Sequence, residues 1–392
     1  MSRRGQRDVV IVGGGVVGAA CALALAAQDL DVVLIEARAP ARWSADAPDL
    51  RVYAFAHDSA GLLGSVGAWN DVRATRAHAY RRMQVWDAGG GSELVFDADA
   101  LGMRELGWIV EHGLLVDRLW ARLAAAGVDV RAPAQVEALE QDANGVSLRL
   151  DAGDRIDARL AIAADGAAST LRTLAGIGAH THDYAQAGVV GYIESSEPHR
   201  DTAWQRFLAT GPLALLPVAD GRSSIVWTLP ADEAARVREL DDAAFADALT
   251  RASGGRLGAL KPVSPRAAFP LRRQLADAQV QGRVLVIGDA AHVVHPLAGQ
   301  GVNLGLRDVI GLADSVADAR RRGARWDAPQ RLARWARTRR SESAVAAHAF
   351  ESINRVYSND ALLPALLRSH ALGIAQALPP LRNLLWKRAA GL

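Results

Sequence analysis

The feature that most constrains this 392-residue chain stands near its N-terminus, where DVVIVGGGVVGAACALALAAQ is followed shortly by VVLIE. Residues 8–12 form a short apolar run rich in valine and isoleucine, the pattern of a buried parallel strand. Gly13, Gly15 and Gly18 follow in the spacing G-x-G-x-x-G, and residues 16–27, rich in Ala, Leu and Val, read as a buried helix. Residues 32–36 read as a second parallel strand closing on Glu36. Gly13 permits the tight turn, Gly15 lets a pyrophosphate approach the backbone, and Gly18 lets helix and strand pack closely. The helix N-terminus offers free N–H groups and partial positive charge to phosphates. Glu36 is placed to accept hydrogen bonds from a ribose 2′-hydroxyl. An acid there disfavours a 2′-phosphate, so the unit suits FAD or NAD and not NADP. The basic start, apolar middle and Arg pair also have the outline of an export signal. Gly13–Gly15 would break an export helix, however, and the following residues complete a folded unit.

Composition narrows the class. Half of the residues are apolar, enough for a large core and two or more domains. A net charge of +2 implies no strong nucleic-acid field. The single cysteine, Cys21, excludes a disulfide framework and fits a reducing, cytoplasmic compartment. No apolar run approaches the roughly 18 residues of a membrane span.

Two later segments separate FAD from NAD. A strand-like run at 284–288 leads into Asp289 and then VVHPLAGQGVNLGLRD at 293–308. Gly299, Gly301 and Gly305 do not directly follow a strand, and no second strand with a terminal acid comes after them, so this is not a second nucleotide loop. It suits a flavin. Backbone N–H groups of Gly299–Val302 at a helix start would stabilise negative charge on the pyrimidine edge of the reduced ring. Asp289 is placed for a ribityl hydroxyl and Asn303 for the pyrimidine edge. A third segment, RLAIAADGAASTLR at 159–172, runs from a strand into Asp165-Gly166, with Ser169 and Arg172 following. It is expected near the cofactor.

Together these segments resemble the group A flavoprotein aromatic hydroxylases of the p-hydroxybenzoate hydroxylase type, and within them the ubiquinone-biosynthesis monooxygenases. The likeness rests on the glycines at 13–18, the Asp-Gly pair at 165–166 and GDAAH…P…GQGxNxGxxD at 288–308. It extends over DLRVYAFAHDSAGLLGSVGAW (49–69), LGWIVEHGLLVDRLW (106–120) and GPLALLPVADGRSSIVWTLP (211–230). The resemblance implies an α/β fold: a Rossmann-like FAD-binding domain with an inserted β-sheet substrate domain and C-terminal helices. The expected division is FAD-binding domain at 1–75, 100–175 and 278–330, substrate domain at 76–99 and 176–277, and helical region at 331–392. It also implies the chemistry. NADPH or NADH, bound transiently, reduces FAD; O2 adds to the reduced flavin; and the flavin hydroperoxide hydroxylates a polyprenylated phenol or benzoquinol. Cofactor contacts carried over are Gly13, Gly15, Gly18, Glu36, Arg38, Arg51, Asp165, Asp289, Gly299, Gly301, Val302 and Asn303. His112 stands where relatives often carry Asn or Gln, as a ribityl contact. His295, Pro296 and Gly299 fall at the flavin face, with no acid or base assigned.

Strand-like runs within 183–230 suit a sheet covering the flavin. Trp86, Trp204 and Trp227 are candidates to line an aromatic pocket, against ordinary core packing. No Ser-His-Asp or metal constellation emerges, and His292 with His295 lacks supporting Cys or carboxylate ligands, so no metal is expected. Residues 320–340 carry nine arginines, read as a solvated helix face or as cations for anionic headgroups. With the apolar tail from 361, they allow peripheral contact with the inner face of the cytoplasmic membrane, or membership of a ubiquinone-biosynthesis complex. Other readings are a hydroxylase of a small soluble aromatic, a halogenase or lipid reductase of the same fold, and a non-catalytic FAD-holding subunit. The W-x-W-x-I-P signature of halogenases is absent.

Overall fold

A computed structural model describes residues 5–47, 49–89, 93–294 and 301–357, with backbone only at 344 and 346–357. Its first sheet has eight strands. Arg7–Val12 lies at the centre, parallel to Val32–Ile35 on one side and to Arg155–Ala163 on the other. Val284–Val286 extends the parallel run beyond Arg155–Ala163. Helix Val16–Ala26 makes the crossover between the first two strands, which parallel pairing requires. Its apolar residues join one core with the helices His112–Leu123 and Gly301–Arg321. The strand expected at 284–288 ends at Val286, because Gly288 takes φ +60° and opens a 3-10 turn, Gly288–Ala290.

The second sheet has nine strands and is mainly antiparallel. Its longest strand, Ala179–Ser195, pairs with Ala267–Ala276 and with Ser223–Pro230. Beyond Ser223–Pro230 come Gly211–Pro217, Thr202–Leu208, Arg82–Asp87 and Leu94–Asp97. Strand side chains alternate between faces, and here the alternation divides two environments. Val189, Leu213, Leu215, Ile225, Trp227 and Leu229 pack beneath the helices Ala231–Arg238 and Asp242–Ser253. Gly188, Val190 and Val226 face the first sheet across a cavity.

A three-stranded sheet, Val52–Phe55, Gly107–Glu111 and His78–Tyr80, lies among these parts. Two short strands cross the expected domain division. His78–Tyr80 pairs with Gly107–Glu111 rather than with the large sheet. His292–Val293, from the expected FAD segment, pairs with Gln274 and Leu275 at the large sheet's edge. Helix Pro329–Tyr357 closes the chain as described, burying Leu332, Trp335 and Ala336 in the same core as Val309, Leu312 and Val316. Among the described residues no helix is long and apolar enough to cross a membrane.

Candidate active site

A cavity of about 720 Å³ runs from the glycine turn of the first sheet to the apolar face of the second, a size suited to a small-molecule or cofactor site. The glycine turn shows why each position must lack a side chain. Gly13 has φ +106°, and a Cβ there would lie 2.4 Å from the Ala164 carbonyl oxygen. A Cβ on Gly18 would lie 1.9 Å from the Gly13 carbonyl oxygen. Gly15 differs: nothing in the protein lies within 4 Å of its missing Cβ, and it lines the cavity at the start of helix Val16–Ala26. Gly13 and Gly18 are thus glycine for the protein's own packing, whereas Gly15 leaves backbone exposed to a ligand.

Glu36 lines the same end. Its carboxylate accepts from Gly14 N at 2.5 Å and from Arg38 N at 3.0 Å, which fixes it beside the turn with lone pairs left for ribose hydroxyls. Arg38 is exposed and is not among the lining residues; the contact it makes here is this main-chain bond to Glu36.

Arg51, Tyr53, His112 and Asp289 also line the cavity. Arg51 Nη2 lies 3.8 Å from Asp289 Oδ2, and its guanidinium sits over the Tyr53 ring. Tyr53 Oη lies 3.0 Å from His112 Nδ1. Burial raises the Tyr53 hydroxyl above its ordinary range. Burial, reinforced by Arg51, lowers His112. A protonated phenol and a neutral imidazole share this one hydrogen bond, and the tautomer of His112 sets which of them donates. The loop presenting these groups is held by Glu111, which accepts from Trp43 Nε1 at 2.8 Å and Asp49 N at 3.2 Å and pairs with Arg76 at 2.9 Å. Asp49 in turn accepts from Arg51 N and Gly113 N. Sequence reasoning missed Glu111 and Tyr53, whose partners are distant along the chain, and Asp49, which joins Arg51 to the distant Gly113.

Asp165 and Gly166 line the cavity. The Asp165 carboxylate accepts from Ser169 Oγ and from Leu171 N at 3.1 Å, holding the short helix Thr170–Leu174. Arg172 donates to the Ala290 carbonyl at 2.8 Å, tying this segment to the one carrying Asp289. Gly301 and Val302 also line the cavity, where helix Gly301–Arg321 begins. His295, Pro296 and Gly299 lie outside the described residues. Asn303 corrects an expectation. Its amide donates to Ala54 O at 2.8 Å and accepts from Ala56 N at 3.0 Å and Ser59 Oγ at 2.8 Å. Buried and absent from the cavity lining, the side chain fastens the helix to the 54–59 segment.

The tryptophans correct another. Trp227 and Trp204 do not line the cavity. Trp227 is an odd-numbered residue of its strand and shares the helix-covered face with Phe245. Trp204 packs partly buried against the same cluster and makes an edge contact with Trp86. The apolar wall instead consists of Val190, Val226, Phe269, Pro270 and Leu271, with Val293 and Val294 at the edge and Leu50 opposite. Phe269 is 50% exposed at this wall. The signal available in sequence was strand parity: Val226 and Trp227 cannot share a face.

Among the described residues, one group brings metal-ligand atoms close together: His78, His199 and Asp201, within 4.8 Å of one another. His78 Nε2 is already paired with Asp201 Oδ1 at 3.1 Å, and His199 Nδ1 accepts from Asp201 N at 3.1 Å. His199 Nε2 is buried and has no hydrogen-bond partner.

The residues present fit FAD: an open backbone cradle at Gly15, a helix N-terminus beside it, an acid for ribose, and a continuous cavity long enough to reach an apolar wall. A mainly parallel sheet carrying the glycine cradle and a mainly antiparallel covering sheet meet at this cavity, the layout of an FAD-binding domain with a covering sheet. Among solved structures, p-nitrophenol 4-monooxygenase of Pseudomonas putida superposes with TM-score 0.77 at 19% identity, covering 98% of each chain. Klebsiella pneumoniae HpxO, complexed with FAD and uric acid, superposes with TM-score 0.76 at 19% identity, covering 98% of this chain and 96% of that one. Residues 6–347 match the family described as FAD binding domain. The chain is 38% identical to the 3-demethoxyubiquinol 3-hydroxylase of Escherichia coli over 94% of each chain. It is 37% identical to the ubiquinone hydroxylase of Rhodospirillum rubrum, over 98% of this chain and 89% of that one. The chain belongs to the FAD-dependent hydroxylase family of ubiquinone biosynthesis.

Proposed function

We propose that this chain hydroxylates the aromatic ring of a polyprenylated phenol or quinol, with FAD as resident cofactor, NADPH or NADH as transient reductant and O2 as oxygen source. One observation carries the reading: the cavity that begins at the glycine cradle continues along the apolar face of the second sheet. FAD, when bound, supplies the capacity to accept a hydride and activate O2. The chain's own residues do the rest. Gly15 and Val16 would present main-chain donors to a pyrophosphate, and Glu36 would take ribose hydroxyls. Gly301 and Val302, at a helix start, would stabilise negative charge on the bound cofactor. Val190, Val226, Phe269 and Leu271 exclude water and give an electron-rich ring an apolar surface to lie against. The half-exposed Phe269 suits a ligand with an apolar tail leaving the cavity. Complementation tests this. The chain is introduced into strains each blocked at one ring hydroxylation, and quinone intermediates are followed. Disappearance of one prenylated intermediate is expected; restoration of none would reject the reading.

A polyprenyl substrate resides in a bilayer, so the reading includes contact with the inner face of the cytoplasmic membrane. Arg321, Arg322 and Arg331 share Asp318. Arg334, Arg337 and Arg340 remain exposed at three-residue spacing on one helix, a face suited to anionic headgroups. Flotation with anionic liposomes tests it: protein recovered only in the lipid-free fraction defeats this part and leaves the hydroxylation reading intact.

A further inference from the structure

Asp308 is fully buried, and its carboxylate joins three parts of the chain. Oδ2 accepts from Gly288 N at 3.0 Å and pairs with His292 Nε2 at 2.7 Å. Oδ1 accepts from Arg339 Nε at 2.9 Å. Gly288 opens the turn that carries Asp289, and Asp289 and His292 both line the cofactor cavity. Arg339, in contrast, belongs to helix Pro329–Tyr357 and is not among the lining residues. Burial opposes ionisation of Asp308, but His292 and Arg339 hold its carboxyl below the usual carboxylate range.

The packing supports the same connection. A Cβ on Gly305 would lie 3.0 Å from Gly288 Cα and 2.7 Å from Val17 Cγ2, so this helix sits against the cofactor turn itself. A Cβ on Gly311 would lie 3.4 Å from Arg339 Cδ and 3.5 Å from Trp335 Nε1. Trp335 Nε1 also donates to the Asp308 carbonyl at 3.2 Å. One helix, Gly301–Arg321, is therefore fitted against the cofactor turn on one side and the last helix on the other, with a single carboxylate bonded to both.

We propose that Arg339 is a positioning residue for FAD, acting through Asp308 on His292 and the Gly288–Asp289 turn, so that docking of helix Pro329–Tyr357 and binding of FAD are coupled. A buried carboxylate bonded on both oxygens keeps its place only while each partner remains. Without Arg339, Asp308 loses its partner on Oδ1, and the turn carrying Asp289 is no longer tied to the last helix. Coupling is reciprocal: FAD tightens the last helix, and detaching that helix loosens FAD. This rests on the FAD site and not on the identity of the substrate.

The test uses the full chain with Arg339→Met, Arg339→Lys and, on the exposed side of the same helix, Arg337→Met. FAD affinity is read by flavin fluorescence, and protease cutting within the last helix is followed with and without FAD. Arg339→Met is expected to weaken FAD at least tenfold with an unchanged far-UV spectrum in the FAD-free protein. Arg339→Lys should recover part of that loss, and Arg337→Met should match the parent. FAD should protect the last helix in the parent and not in Arg339→Met. Unchanged FAD affinity in folded Arg339→Met overturns the proposal, as does an equal loss in Arg337→Met. Should Arg339→Met fail to fold, the parent decides: no FAD-dependent protection of the last helix overturns it.

Discussion

Gly15 and Val226 line one cavity from opposite sheets, yet they are there for different reasons. Gly15 belongs to a wall made of backbone. Strand, turn and helix follow one another directly, and the ligand meets main-chain N–H groups whose direction the local geometry sets. Val226 belongs to a wall made of side chains. Its place depends on Ser223–Pro230 pairing with Ala179–Ser195 and Gly211–Pro217 in one register, since a one-residue slip would turn it to the other face. The first wall is fixed by neighbours in sequence, the second by partners far along the chain.

The widest separation is expected for the residue next to Val226. Trp227→Ala removes a buried indole from beneath the helices Ala231–Arg238 and Asp242–Ser253, and truncations of this kind cost about 3–5 kcal/mol. The indole Nε1 has no hydrogen-bond partner, so the loss is one of packing. Urea unfolding should show the full cost while KM for the aromatic substrate stays at the parent value. A raised KM with unaltered stability would put the ring on the cavity face after all.

On the backbone wall the contrast lies between two glycines of one motif. Gly18→Ala forces a Cβ against the Gly13 carbonyl oxygen, and such overpacking costs about 1–3 kcal/mol. Gly15→Ala meets open space and should leave the unfolding midpoint of the FAD-free protein unchanged while weakening FAD several-fold. Equal destabilisation by both substitutions would mean that Gly15 is also a packing glycine.

These contrasts account for what was legible in the sequence. The glycine turn, the parallel strands around it and Glu36 could be read because their partners are neighbours in the chain. Asp289, Gly301 and Val302 were singled out from one contiguous strand-to-helix motif, and they line the cavity. Asn303 belongs to that motif too, but its amide faces the 54–59 segment, which no local pattern announces. Trp204 and Trp227 were chosen for their chemistry, and strand parity placed Trp227 on the other face. Tyr53 and Glu111 were missed because what matters in each is a contact made at long range.

A smaller effect tests the apolar wall directly. Val226→Phe adds a ring where the strand faces the cavity, so it has space that a core position lacks. Stability should change by less than about 1.5 kcal/mol, while KM for the substrate rises several-fold and FAD affinity is retained. A loss of FAD affinity equal to the loss of substrate affinity would show that this part of the wall touches the cofactor.

The smallest effect compares histidines on and off the cavity. Burial and Arg51 lower His112, and burial and His199 lower His78, both from an ordinary value of 6.5. In each case the unfolded chain takes up a proton at a higher pH than the folded chain does. Stability is therefore expected to fall as pH drops through about 6.5 toward the lowered folded values, and to level off below them. His112→Asn and His78→Asn should each flatten part of that slope in the FAD-free protein. Saturating FAD stabilises the folded chain by mass action, and because His112 lies on the cavity wall, only its share of the slope should change with FAD present. A pH slope for His78→Asn that responds to FAD as strongly as the parent's, together with one for His112→Asn that responds equally, would remove His112 from the cofactor's surroundings.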